Sequence, residues 1–135
     1  MQVTAIIAEW NPLHRGHLLP VQAARQQGAT HIVAILSGNF VQRGEPALCP
    51  WQYRAAAALS SGVDLVLLLP LPYAVSTAQH FAGGAVASLA ALGAVDSLIF
   101  GSECGELAAL RSVAAALDSP DLPAALAPHL QKGLP

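Results

Sequence analysis

The chain has 135 residues, of which 54% are hydrophobic and 10% charged, and its formal net charge is -2. This length suits a single domain with a real core, and a composition so apolar and so poor in charge excludes intrinsic disorder. The slightly negative charge also argues against a strong polyanion-binding surface in this segment, so a nucleic-acid partner would need a basic surface from elsewhere.

Strand and helix patterns alternate along the first half of the chain. A β-rich run at 3–8 predicts the first strand, and residues 16–27 predict a helix that Gly28 ends. The second strand is predicted at 31–36, and it leads into an irregular stretch, 37–50, that contains two glycines and two prolines.

The second half of the chain repeats this alternation. An almost wholly apolar run at 64–69 predicts a third strand that is covered on both faces, and Pro70 and Pro72 end it. The remaining predicted elements are helices at 51–60, 77–92 and 106–117 and a fourth strand at 96–100. Such alternation is typical of α/β proteins, so we predict a Rossmann-like parallel sheet with helices on both faces.

Membrane, targeting and redox signals are weak. The most apolar run, 65–75, is interrupted by prolines and is too short for a membrane span, which needs about 20 apolar residues. The N-terminus lacks the three regions of a signal peptide. Cys49 and Cys104 lie outside any CxxC pair and are expected to be ordinary reduced thiols. We therefore expect a cytoplasmic protein without a membrane segment.

Polar, glycine-bearing or proline-bearing segments follow the predicted strands. Right-handed crossovers place the carboxyl ends of parallel strands at one edge of the sheet, where ligands bind in such folds. That edge would carry residues 9–17, 37–50, 70–76 and 101–105. We predict a ligand-binding domain at 1–118 and a tail at 119–135 with four prolines and one weak helical segment.

The strongest motif is Asn-Pro-Leu-His-Arg-Gly-His at 11–17, directly after the first strand. Two imidazoles three residues apart share one face at the start of a helix, and Gly16 lets the backbone approach a ligand closely. With the helix N-terminus, His14 and His17 are suited to stabilise charge on nucleotide phosphates as pyrophosphate leaves. The alternatives are a metal pair or two surface histidines. A third metal ligand at suitable spacing is missing, which favours phosphate binding.

Two further motifs lie at the same predicted edge. In residues 37–46, Arg43 is suited to meet an anion and Glu45 to orient it, but a solvated surface loop explains these residues equally well. In residues 100–103, Phe-Gly-Ser-Glu, Gly101 would let the chain pass close beneath a base or ribose. A simple strand-ending turn is the alternative for that segment. Both alternatives stay open on the residues alone.

Three other polar residues are interpreted as structural. Arg54, on the predicted second helix, belongs to a class that most often lies at the surface or in ion pairs, although it can reach toward the 37–50 loop. His31 and His80 belong to no motif and are assigned structural positions.

Several segments together resemble a known family. Residues 9–17 fit its E-[YW]-N-P-[FL]-H-x-G-H pattern, and residues 37–47, SGNFVQRGEPA, resemble a nearly unaltered family signature. The segments at 62–66, 81–85 and 100–103 follow in the family's order. An H-x-G-H after the first strand is shared by the nucleotidyltransferase-like superfamily. The longer pattern, over about residues 3–107, resembles the bacterial tRNA(Met) cytidine acetate ligases.

The resemblance implies a specific ATP-dependent reaction. Acetate would be activated as acetyl-adenylate, and its acetyl group transferred to N4 of the wobble cytidine of elongator tRNA(Met), which would bind mainly outside this segment. Residues 1–118 would be the ATP-binding adenylation domain with His14 and His17 as catalytic residues, and Mg²⁺ is expected on the nucleotide phosphates. The implied ATP-binding residues are Ile7, Ala8, Glu9, Trp10, Asn11, Pro12, Leu13, His14, Arg15, Gly16, His17, Leu18, Leu19, Pro20 and Gly101. The implied substrate loop contributes Ser37, Gly38, Asn39, Gln42 and Arg43.

The chain also departs from the family pattern. Pro50, Trp51 and Gln52 stand where Asp-Lys-Trp is usual, Leu68 replaces an acidic residue, and Pro20 replaces a residue that is often His. Family members are much longer, so the chain is expected to be an N-terminal piece. Two alternatives stay open, namely a generic nucleotidyltransferase and a nucleotide-binding fragment that does not catalyse.

Overall fold

The structure, a computed structural model, describes residues 1–102 and 104–131 and consists of strands that alternate with helices. The strands are β1 (Val3–Ala8), β2 (His31–Leu36), β3 (Leu65–Leu68) and β4 (Ser97–Leu98). The helices are α1 (Leu18–Gln26), α2 (Trp51–Ser60), α3 (Leu71–Ala74), α4 (Ala78–Ala91), α5 (Leu107–Leu117) and α6 (Leu122–Gln131). Single 3-10 turns occupy Arg15–His17 and Gln42–Gly44.

The four strands form one parallel sheet in the order β3, β2, β1, β4. β1 and β2 pair over their whole length, from Val3 opposite His31 to Ala8 opposite Leu36. Both strands therefore end at the same level, and the loops that follow Ala8 and Leu36 leave the sheet side by side. The predicted parallel α/β fold is confirmed.

Helices pack against both faces of the sheet, and side chains alternate between the two cores. The edge strand β3 is less covered than predicted, since Leu65 and Leu68 are 46% and 40% exposed. Neighbouring residues of a strand point to opposite faces, which is why these strands are apolar nearly throughout. One core joins the sheet to α1 and α2, and its buried members include Ile6, Ile32, Ala34, Leu36, Val21, Ala24 and Ala58. The other joins the sheet to α3 and α4, and its buried members are Val3, Ala5, Val33, Ile35, Leu69, Ala74, Ala85 and Leu89.

The fourth strand is shorter than the sequence indicates, because only Ser97–Leu98 pair as a strand instead of residues 96–100. The ladder hydrogen bonds reach one residue further on each side: the Asp96 N–H donates to the Val3 carbonyl (2.9 Å) and the Ile99 N–H to the Ala5 carbonyl (3.0 Å). β4 pairs with β1 alone in this sheet. Beyond Ile99 the chain therefore leaves the ladder, and Phe100 and Gly101 turn toward the carboxyl edge.

The contact between α3 and α4 depends on Gly84. A Cβ atom placed on Gly84 would overlap the Tyr73 ring, whereas one placed on Gly83 would meet nothing within 4 Å. Gly84→Ala is expected to lower the free energy of unfolding by about 1–3 kcal/mol through overpacking. Gly83→Ala is the matched control and is expected to raise it by about 0.5–1 kcal/mol, because alanine is the better helix former. Urea unfolding of both variants measures the difference, and equal stability would contradict the contact.

The chain divides into two compact units, of which the first is Met1–Gly101 and the second begins at Ser102. This structural division falls before α5, whereas the predicted end of the ATP-binding domain falls after it, at residue 118; that functional boundary stays a prediction. Within the described part of the tail, α6 forms a helix with Pro128 inside it, and residues 132–135 lie outside the described residues. None of the described helices is both long and apolar enough to cross a membrane.

Candidate functional site

A cavity of about 860 Å³ opens at the carboxyl edge of the sheet, beside β1. The chain runs from β1 through β2 to β3 on one side of β1 and then returns to place β4 on its other side. Such a reversal of strand order leaves a crevice between the loops of the neighbouring strands, and α/β proteins bind ligands there. The lining residues are Ile6, Ile7, Ala8, Glu9, Trp10, Asn11, Pro12, His14, Gly16, His17, Pro20, Val41, Gln42, Arg43, Glu45, Phe100 and Gly101.

The His14 and His17 rings stack against each other in this cavity. Their centroids lie 3.6 Å apart with the ring planes inclined by 25°. The Gly16 N–H donates to Nδ1 of His14 (3.1 Å), and the His14 N–H donates to Nδ1 of His17 (3.3 Å). Because each Nδ1 accepts a proton donor, the proton of each neutral ring lies on Nε2. The turn thus makes Nε2–H the donor that each ring offers a ligand.

The backbone of the turn at Arg15–His17 offers a ligand fewer free N–H groups than the sequence predicts. We expect unpaired N–H groups at the start of a helix, but here the Gly16 N–H is used by the His14 ring and the His17 N–H donates to the His14 carbonyl (2.9 Å). Gly16 is needed for a different reason. A Cβ at Gly16 would lie 3.1 Å from Cε1 of His14, so an alanine there would require the His14 ring to shift by a few tenths of an ångström.

The environment favours the neutral form of His17. Burial, and secondarily the neighbouring His14, lower the pKa of His17 below its usual value of 6.5. The unfolded chain then binds this proton more readily than the folded one. The contribution of His17 to stability is therefore complete above about pH 6.5 and is lost as the pH falls through the lowered pKa.

An NMR titration of the ring resonances tests this effect. The midpoint for His17 is expected below 6.5, with the neutral ring in the Nε2–H form. In the His14→Asn variant the midpoint is expected to rise only part of the way, because burial, the larger cause, remains. A His17 midpoint at or above the usual value in the unmodified chain would contradict the assignment.

The loop after β2 folds back over the loop after β1 and is fixed there by three side chains. The Gln42 N–H donates to Oε1 of Glu9 (2.6 Å), and the Leu48 N–H donates to Oδ1 of Asn11 (2.7 Å). Oδ1 of Asn39 accepts from the Trp51 N–H (3.2 Å), which ties the loop to the start of α2. Within this segment Val41, Gln42, Arg43 and Glu45 line the cavity, so these hydrogen bonds hold one of its walls.

Arg54 connects the ends of both central strands from inside the protein. It is 1% exposed, so the surface alternative is wrong, while its reach toward the 37–50 loop is confirmed. Its guanidinium donates to the carbonyls of Glu9 (2.6 Å), Ser37 (3.0 Å), Gly38 and Cys49 (3.3 Å), and to Oγ of Ser37 (3.5 Å). Burial lowers the pKa of Arg54, and Cys49 and Glu9 counter part of that effect. This residue supports the site from behind without lining it.

Two residues of the cavity wall hold a backbone conformation that side chains rarely adopt. Trp10 has φ 46° and Arg43 has φ 79°. Such conformations cost on the order of 1–3 kcal/mol and persist where the surroundings enforce them, often at functional sites. Trp10 is 4% exposed and packs in the core beside α1 and α2, while Arg43 is exposed on the wall. The strain therefore lies at the two points where the loops after β1 and β2 shape the cavity.

The structure brings most of the predicted site residues to this cavity. The predicted residues that line it are Ile7, Ala8, Glu9, Trp10, Asn11, Pro12, His14, Gly16, His17, Pro20, Gln42, Arg43 and Gly101. Those that do not line it are Leu13, Arg15, Leu18, Leu19, Ser37, Gly38 and Asn39. Leu13 packs against the core, and Ser37 is fully buried beneath Arg54. The roles of all these residues as ligand contacts stay predictions.

Four lining residues were absent from the predicted site, namely Ile6, Val41, Phe100 and Glu45. Val41, Glu45 and Phe100 lie in the motifs described above, so their loop positions were the available signal. Ile6, inside the first strand, carries no polar signal. Glu103, the last residue of the Phe-Gly-Ser-Glu motif, lies outside the described residues.

Within Met1–Gly101, His31, His80 and Cys49 do not line the cavity. His31 begins β2 at the opposite edge of the sheet, where its ring hydrogen-bonds Thr30, and His80 hydrogen-bonds Thr77 at the start of α4. Neither Cys49 nor Cys104 forms a disulfide. The pKa of the Cys104 thiol is lowered, chiefly by its hydrogen bond with Ser102.

A parallel α/β sheet with a histidine pair at the switch-point end of β1 defines a nucleotidyltransferase-like domain. The chain belongs to the HIGH nucleotidyl transferase family, whose model matches residues 1–135.

Several proteins similar to the chain carry a more specific name than that of this family. A tRNA(Met) cytidine acetate ligase of Caldanaerobacter subterraneus subsp. tengcongensis is 47% identical over 99% of this chain and 34% of that protein. The ligase of Exiguobacterium sibiricum is 55% identical over 79% of this chain and 28% of that protein. The crystal structure of Thermotoga maritima TmcAL bound with alpha-thio ATP matches 100% of this chain and 34% of that one, with a TM-score of 0.89 and 40% identity. The chain thus spans about a third of the length of relatives that it matches.

Proposed function

We propose that this chain is the ATP-binding adenylation domain of a tRNA(Met) cytidine acetate ligase. Acetate would be activated as acetyl-adenylate, and the acetyl group would then be transferred to N4 of the wobble cytidine of elongator tRNA(Met). The stacked pair of His14 and His17 in the switch-point cavity is the observation that carries the proposal. The names of the relatives and the ATP analogue bound to the T. maritima protein support the choice of substrates.

Adenylation requires in-line attack by an acetate oxygen on the α-phosphorus of ATP. The new O–P bond forms as the bond from the α-phosphorus to the pyrophosphate oxygen breaks, and no protein group is covalently modified. The protein therefore acts by positioning and by stabilising charge. We assign the Nε2–H groups of His14 and His17 to the phosphate oxygens on which charge builds as pyrophosphate leaves.

Arg43 is assigned to the carboxylate of acetate. Among the described residues that line the cavity, it carries the only permanent positive charge. A guanidinium matches a carboxylate through two parallel hydrogen bonds. Gly101, in the segment after β4, is assigned to the nucleoside, because it lines the cavity and no Cβ limits the approach of a ring there.

This segment would contribute little to the binding of either Mg²⁺ or tRNA. No three His, Cys, Asp or Glu side chains within the described part of the chain are placed to hold a metal ion together. A Mg²⁺ ion at this site would therefore take its ligands mainly from the nucleotide phosphates and water. The net charge of -2 gives this segment little attraction for the tRNA backbone, so tRNA would bind mainly through other parts of the protein.

Exchange of labelled pyrophosphate into ATP, measured on the complete gene product, tests the proposal. Acetate is expected to be required for the exchange, and tRNA is not, because adenylation precedes transfer. No exchange with acetate, together with turnover of another acceptor, would identify a generic nucleotidyltransferase instead. Stabilisation by ATP without exchange under any acceptor would identify a nucleotide-binding fragment.

A further inference from the structure

The negative charge of Glu9 does not explain why this residue lies in the cavity wall. It lines a cavity proposed to hold a triphosphate, where a carboxylate would repel the ligand. Its Oε1, however, accepts the Gln42 N–H at 2.6 Å, and its carbonyl accepts from the buried Arg54 at 2.6 Å. Glu9 thus contacts the loop after β2 through its side chain and the buried guanidinium through its backbone.

We propose that Glu9 is a positioning residue that holds Arg43 against the cavity. Gln42–Gly44 forms a single 3-10 turn, and its second residue, Arg43, has φ 79°. Side chains rarely adopt this conformation, so the turn needs an external restraint. The Glu9 carboxylate supplies this restraint one residue before Arg43, while Arg54 fixes the ends of β1 and β2 beneath the turn. We call the contact between Glu9 Oε1 and the Gln42 N–H the latch.

The rate at which the turn at Gln42–Gly44 opens measures the strength of the latch directly. This measurement does not depend on enzyme activity. Trypsin cleaves after Arg43 when the turn opens, and after Arg25 only when α1 unfolds. In Glu9→Ala, cleavage after Arg43 is expected to rise about ten-fold, since hydrogen bonds to charged groups are among the stronger ones in proteins. Cleavage after Arg25 is expected to stay unchanged. In Glu9→Gln, which keeps an oxygen acceptor, the rise is expected to stay below about three-fold.

Amide hydrogen exchange gives a second measure at groups that Glu9 does not touch. The Val41 N–H donates to the Glu45 carbonyl and the Gly44 N–H to the Val41 carbonyl, each at 2.9 Å. Both are expected to exchange faster in Glu9→Ala, whereas the amides of β2 are not. Unchanged exchange and cleavage at the turn, or an equal rise after Arg25, would overturn the latch.

A kinetic readout separates positioning from a purely structural role, and this part rests on the proposed function. In the complete gene product, Glu9→Ala is expected to raise KM for acetate about ten-fold with kcat within about three-fold, because Glu9 acts through a binding residue. When Glu9→Ala is combined with Arg43→Ala, KM for acetate is expected to rise no further than in Arg43→Ala alone, because the two residues act through the same contacts. A fall in kcat with KM unchanged, or fully additive effects, would overturn the assignment. If the unmodified protein shows no acetate-dependent exchange, the proposed function fails, while proteolysis and hydrogen exchange still decide the latch.

Discussion

Replacing either His14 or His17 with asparagine is expected to slow acetate-dependent pyrophosphate exchange about 10²–10³-fold, the usual cost of removing one donor to a developing negative charge. Asparagine is chosen because its side-chain oxygen can accept where Nδ1 accepts now, which keeps the hydrogen bonds of the Gly16 and His14 N–H groups. It carries no donor at the position of Nε2. The stability of both variants is therefore expected to change by less than about 1 kcal/mol.

Two comparisons test whether the loss of exchange activity is specific to the Nε2–H donors of His14 and His17. Glutamine at the same positions reaches the site of Nε2 with a donor but loses the acceptor at Nδ1, so it should keep more activity than asparagine and less stability. His31→Asn, at the opposite edge of the sheet, serves as the control, and its rate should stay within about two-fold, as for surface substitutions in general. Exchange at the normal rate in both asparagine variants would remove the two histidines from the mechanism.

Arg54→Leu is expected to be the most destabilising of these substitutions, with a loss of about 3–5 kcal/mol. Leucine fills part of the space but leaves the carbonyls of Glu9, Ser37 and Gly38 without the donor that they have now. Chemical denaturation of the chain measures the loss. Arg54→Lys keeps the charge but has three donors where arginine has five, so an intermediate loss is expected.

The control for Arg54 is Arg111→Ala, which changes an exposed residue of α5 and should alter stability by no more than about 0.5 kcal/mol. The loss at Arg54 should also loosen both loops at once, because the guanidinium joins the end of β1 to the end of β2. A loss no larger than that of the control would show that the buried hydrogen bonds of Arg54 contribute little.

Local sequence was sufficient to predict most of the strands and helices that pack into the two cores. β1, β2 and α2 have the predicted bounds, because their apolar periodicity and the glycines and prolines beside them are local signals. The motif at 11–17 also predicted a histidine pair at the edge of the sheet, because a segment that directly follows a strand of a parallel sheet lies at its carboxyl edge. α3 was not predicted, because a four-residue helix that follows Pro70 and contains Pro72 carries no such periodicity.

The contacts that join distant segments required the tertiary structure. Nothing around Arg54 in the sequence shows that α2 packs where its guanidinium meets the ends of β1 and β2. The same holds for Glu9 and Gln42, which are 33 residues apart.

By itself, the sequence predicted most strands and helices, their alternation typical of a parallel α/β fold, and the histidine pair after β1, because these are patterns within short segments. Only the tertiary structure decided the tautomer that the turn favours for both rings, the burial of Arg54 and the fixing of the loop after β2 over the cavity. The burial of Arg54 and the fixing of the loop depend on partners that packing brings together from distant segments. The tautomer depends on the backbone geometry within residues 14–17, which the residue pattern alone does not specify.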